Sequence, residues 1–196
     1  NFRRLRHGEV DLLKALRVSC NTFFCNYAVP IGITRLNAAA QLFHLGDKTG
    51  IELPEEAAGL LPDPIWKRSR LREPWFPGDT VNLSIGHGYL LVTPLQVAAM
   101  VAAIANGGVW YPPRLIRGYE INHRLVLAHP PAHGEFLPLT AGTLPLVQQG
   151  MWEVVNHPLG SGRLAAVPGL TVAGKTGSAQ TPAQTYGWFV CYAPFH

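Results

Sequence analysis

Cysteine is scarce in this 196-residue chain: Cys20, Cys25 and Cys191 are all it has, and no two form a CxxC pair. An odd number argues against a scaffold stapled by disulfides, and the three read as buried thiols. Long apolar runs are missing as well. The longest, LLVTPLQVAAMVAAIA at 90–105, is broken by Pro94 and Gln96 and reads as a buried helix, too short to span a bilayer. Lysine is rare, since 12 of the 16 basic residues are arginine, and the net charge is only +4. This favours anionic partners mildly, yet no basic stripe interleaved with aromatics is present, so nucleic acid is not an expected partner. No apolar segment follows the arginines of NFRRLRHGEV, which excludes a signal peptide there. Both ends, the second being CYAPFH after a strand-like run, read as cuts in a longer chain.

What is there suits one sizeable core: 47% hydrophobic residues, with 20 glycines and 17 prolines implying many turns. Apolar spacing predicts three short helices in HGEVDLLKALRVSCN, TFFCNYAVPIG and ITRLNAAAQLFHLG, with SCN at the joint between the first two. Residues 47–80 are proline-rich without sustained periodicity and read as a long surface excursion. The best helix is 94–106, ended by NGG. A small strand pair is expected in VWYPPRLIRGYEI and HRLVLAH, a helix at 144–156, and a flexible segment in HPLGSGRLAAVPG. Two strands, LTVAGKTGSAQ and TYGWFVCYA, close the chain. The order implies an α/β or α+β domain.

The chemistry concentrates in two short motifs. GLTVAGKT literally satisfies the phosphate-loop pattern GxxxxGK[ST]. Its context does not, because LTVA is strand-like where a phosphate cradle needs an open loop, and Gly177 and Pro182 interrupt the helix that should follow. The better reading puts Lys175 on a strand beside a cleft, where an ammonium stabilises an anionic oxygen or activates a neighbouring hydroxyl. Thr176 and Ser178 are placed to hold a carboxylate, and Gly177 lets a substrate backbone come close. Ser19 and Asn21 of SCN offer a hydroxyl and an amide two positions apart, although both residue types are also ordinary helix caps.

SCNTFF, then FPGDTVNLSIGHGYLLVTPLQVAAMVAAIANGG, then VAGKTGSAQ occur in the order found in penicillin-binding transpeptidases. The chain resembles the C-terminal part of that domain in class B enzymes, most closely the elongation transpeptidases of the penicillin-binding protein 2 type. The resemblance implies an antiparallel sheet flanked by helices, in the fold shared with serine β-lactamases, incomplete here. It also implies cross-linking of peptidoglycan by attack on D-Ala-D-Ala stems through an acyl-enzyme that β-lactams mimic. By position, Ser19 would relay protons between the nucleophile, Lys175 and the leaving amine. Asn21 would bind the substrate amide and Thr176 the terminal carboxylate. Ser178, where the family often has Thr, would assist and lend its N–H to the oxyanion hole. Glycosyltransferase and elongation-complex membrane proteins are the implied partners. The implied location is an anchor in the bacterial inner membrane with the catalytic domain in the periplasm.

The family's nucleophile lies in an SxxK motif upstream of SxN. None of Ser19, Ser69, Ser84, Ser161 and Ser178 has lysine three positions later; SRLR at Ser69 comes nearest, and arginine is a poor proton acceptor. Residues 1–196 are therefore expected to be a partial transpeptidase domain, SxN to KTG, without the SxxK segment or the last strand, and inactive alone. The alternatives are a non-catalytic cell-wall assembly domain of the same fold and, less favoured, a serine β-lactamase. His87, in GHG where relatives commonly have GQG, reads as a loop-packing residue. No cofactor is expected for catalysis. Some relatives hold a structural zinc through two aspartates, a histidine and a cysteine. His7 and Cys20 resemble the latter two, with the aspartates expected upstream of Asn1.

Overall fold

The structure, a computed structural model, describes residues 7–128, 133–180 and 184–195. Three short helices come first: α1 (Leu12–Arg17), α2 (Asn21–Ile31) and α3 (Ile33–Leu42). Asp11 caps α1, its carboxylate accepting from the Lys14 N–H at 2.8 Å. Helix α2 starts at Asn21, with Cys20 as the preceding cap residue. Pro30 sits inside the last turn of α2, and Gly32 at φ +80° ends it.

The segment 47–80 is not an irregular excursion. It contains α4 (Pro64–Leu71) and the start of α5 (Pro77–Ser84). Both begin with proline, whose missing N–H is no loss in a first turn. The Asp63 carboxylate caps α4 by accepting from the Trp66 N–H at 2.6 Å. The Asp79 carboxylate accepts from the Phe76 N–H at 2.8 Å and, on the same oxygen, from Lys67 Nζ at 2.7 Å. Lys67 is only 2% exposed, and its ammonium also lies 4.7 Å from the Phe76 ring centre. The hydrogen bond to Asp79 raises the Lys67 pKa. Burial pushes Asp79 up, but Lys67 and the Phe76 N–H outweigh it and hold the carboxyl below its ordinary range.

The best-patterned helix, α6 (Pro94–Ala105), has Thr93 as its cap and Gln96 answering it: the Thr93 hydroxyl accepts from the Gln96 N–H, and Gln96 Oε1 from the Thr93 N–H. Gln96 is 1% exposed and its amide also donates to the carbonyls of Asp47 and Ala58. The loop 47–58 is thereby tied to the helix. Beyond α6, β1 (Val109–Trp110) pairs antiparallel with β4 (Glu135–Phe136), and β2 (Gly118–Ile121) with β3 (Arg124–Leu127). Helix α7 (Thr143–Asn156) leads through a short 3-10 turn (Arg163–Ala165) to the antiparallel hairpin of β5 (Ala173–Gln180) and β6 (Thr185–Tyr192).

The core gathers where α6 and α7 pack on this hairpin. Val101, Met151 and Ala173 form one buried group, and Val154, Val155 and Val172 another beside it. Helix α7 also meets α1. The approach depends on Gly150, where a Cβ would run into the Leu16 side chain. Antiparallel strand pairs with helices packed against them are the architecture expected from the sequence. No helix of the described residues is long and apolar enough to cross a membrane.

Candidate active site

The turn carrying SCN is a Schellman closure of α1. The Cys20 N–H donates to the Ala15 carbonyl at 2.8 Å and the Ser19 N–H to Leu16 at 3.2 Å. This geometry needs a left-handed residue after the cap, usually glycine. Here the residue is Ser19, at φ +52°, a conformation that costs an L-residue about 1–2 kcal/mol. The return is a hydroxyl projected from the turn. Lys175 Nζ donates to Ser19 Oγ at 2.8 Å, across 156 positions of sequence.

Lys175 comes from the middle of β5, paired with Val190 of β6; Thr176 is paired with Phe189. Both lie in regular strand, in keeping with the rejection of the phosphate-loop pattern, whose lysine and threonine would open a helix. The ammonium also donates to the Thr176 carbonyl at 2.7 Å. Burial disfavours the charged form and lowers the Lys175 pKa from its ordinary 10.5 to about 8. Such an amine exchanges protons readily near neutral pH, and the Ser19 hydroxyl is in hydrogen-bond contact with it.

Farther along β5, Gly177 and Ser178 are exposed. Asn21, the first residue of α2, is exposed too, two positions after Ser19. The sequence reading missed Ser161, whose hydroxyl lies 2.9 Å from Thr176 Oγ1. Its segment, read as flexible, is a tight loop: the Gly160 N–H donates to His157, Ser161 to Arg17 and Gly162 to Val154. The available signal was a hydroxyl residue between two glycines. His87 Nδ1 donates to the Ile85 carbonyl at 3.0 Å, a contact within its own loop. Cys20 is buried and carries a free thiol, and His7 is half-buried before α1. Imidazole and thiolate suit zinc, yet among the described residues no group of three or more metal-binding side chains forms.

A lysine hydrogen-bonded to a serine, with the hydroxyl residues Thr176 and Ser178 on the same strand, brings a proton-exchanging amine and anion-binding groups close together. The chain belongs to the penicillin-binding protein transpeptidase domain family, which matches residues 2–195. Among curated relatives, the peptidoglycan D,D-transpeptidase MrdA of Haemophilus influenzae is 33% identical over 212 aligned positions, covering 100% of this chain and 33% of that protein. Solved structures are similar as well. Penicillin-binding protein 2 of Pseudomonas aeruginosa, in complex with WCK 5153, has TM-score 0.82 and 35% identity, over 95% of this chain and 42% of that one. The same protein of Helicobacter pylori, in complex with MreC, has TM-score 0.83 and 32% identity, over 96% of this chain and 34% of that one. The chain spans about a third of the length of the curated relative it matches.

Two outcomes follow from the site's geometry. Ser19→Gly and Ser19→Ala both lose the hydroxyl, but only alanine keeps the left-handed strain. The glycine variant is expected to be more stable by about 1 kcal/mol in urea unfolding; equal stabilities would show that the turn is unstrained. For Lys175, the unfolded chain binds the extra proton between pH about 8 and 10.5, so stability should climb with pH across that window. Urea titrations should show this climb in the wild type and lose it in Lys175→Met.

Proposed function

We propose that this chain supplies the SxN and KTG walls of a peptidoglycan D,D-transpeptidase active site. The carrying observation is the 2.8 Å hydrogen bond from Lys175 to Ser19. The nucleophilic serine, on an SxxK motif outside this sequence, attacks the carbonyl of the penultimate D-Ala. Its proton passes through the Ser19–Lys175 pair to the nitrogen of the departing D-Ala, as the peptide bond breaks and the acyl-enzyme ester forms. An acceptor amine then attacks that ester, loses its proton to the same relay, and the serine is regenerated. Asn21 holds the substrate amide; Thr176 and Ser178 hold the terminal carboxylate across Gly177. β-Lactams enter by the first half of this path. The full-length protein works in the periplasm, anchored in the inner membrane, with glycosyltransferase and elongation-complex membrane proteins; the MreC complex of a similar protein supports this reading.

A labelled penicillin with intact-mass detection tests the assignment. This chain alone is expected to stay unmodified, whereas the full-length protein takes one label. Lys175→Ala in the full-length protein should slow acylation by roughly 10²-fold or more, as loss of a proton-transfer group does. An unchanged rate would remove Lys175 from the relay.

Zinc is a separate proposal. His7 and Cys20 flank α1 and supply two of the four donors of a structural site, the others coming from two aspartates outside this sequence. When bound, zinc would clamp the SCN turn and add stability, because the unfolded chain lacks the ligand geometry. Zinc content of the metal-replete full-length protein should fall in Cys20→Ala; equal content in both would leave Cys20 a buried thiol.

A further inference from the structure

We propose that Ser161 is a positioning residue for Thr176: it donates its proton to Thr176 Oγ1 and so aims the Thr176 hydroxyl proton at the substrate carboxylate. The inference rests on the transpeptidase reading above and deepens it. The two oxygens are 2.9 Å apart, and with the cleft empty either hydroxyl is able to donate. A bound carboxylate accepts only. Thr176 has one proton, so once that proton goes to the anion, the contact with Ser161 persists only with Ser161 as donor. A chain of hydroxyls ordered in this way is polarised toward the anion.

The loop is built to keep Ser161 at that place. Its N–H donates to the Arg17 carbonyl at 2.9 Å, and the Gly162 N–H to Val154 at 2.9 Å. Neither flanking position has room for a side chain. A Cβ on Gly160 would run into the Val154 carbonyl, and one on Gly162 would lie 2.9 Å from Val154 Cγ1 and 3.5 Å from Thr176 Cγ2. Arg17, which also pairs with Glu153 at 3.1 Å, stands two residues before Ser19. One loop therefore touches the turn that holds the relay serine and the strand that holds the carboxylate-binding threonine.

The test uses the full-length protein, with Ser161→Ala and Ser161→Thr, and two probes: a penicillin with its free carboxylate and the same compound as its methyl ester. Ser161 is exposed, so both variants should fold with unchanged melting temperatures. Ser161→Ala is expected to lower the second-order acylation rate constant for the free acid about tenfold and leave the ester within about twofold, the size of one lost hydrogen bond. Ser161→Thr should restore the free-acid rate. Equal rates for Ser161→Ala and wild type, or equal losses on both compounds, would overturn the assignment. Failure of the wild type to acylate at all is a different result, and it would remove the transpeptidase reading itself.

Discussion

Everything at the cleft depends on α7 being shared. This helix packs against β5 and, through Val154 and Val155, against Val172 just before it, and it also receives α1. The hydrogen bond between Lys175 and Ser19 is worth only about 1 kcal/mol and could not by itself assemble groups so remote in sequence. The close-packed helix does so, since well-filled interiors do not deform continuously. The two walls of the cleft are thus fixed to one another before any substrate arrives, and the polar contact across them forms in a geometry already set.

Lys67, buried, and Lys175, half-buried, show how withdrawal from water gives opposite chemistry with different partners. Lys67 meets the Asp79 carboxylate and the faces of Phe76 and Tyr89, and its charge is held more firmly than in water. Lys175 meets a hydroxyl and a carbonyl, and burial loosens its proton. The first is a structural pin between α4 and α5. The second is an amine suited to passing protons. Ser19 follows the same logic at the backbone, since a position that favours glycine keeps a side chain that is locally unfavourable. Local preference yields where chemistry needs the group.

Residues with a periodic or motif signal were legible before the fold. The α6 pattern, the SCN joint between helices and the KTG strand all stand where the sequence put them, and Ser19 meets Lys175. The misread stretches share a cause. Helices α4 and α5 are eight residues each, start at proline and are held by Asp63 and by the Lys67–Asp79 pair, partners no periodicity reveals. The 160–162 loop looked mobile because glycine usually loosens a chain. Here glycine lets backbone approach backbone, and the loop becomes one of the tightest points near the site. Asn21 stands at the joint, as the first residue of α2.

Gly150 is buried in α7 against Leu16 of α1, away from every reactive group named above. Because Leu16 occupies the space a Cβ would need there, this glycine sets how near α1 can lie, and with it the breadth of the opening between Ser19 and β5. A single added methyl would act as a shim, tilting one wall outward while leaving every reactive group chemically intact. The spacing between the Ser19 turn and β5 is therefore adjustable from behind, by residues that an inspection of the reactive groups alone would pass over.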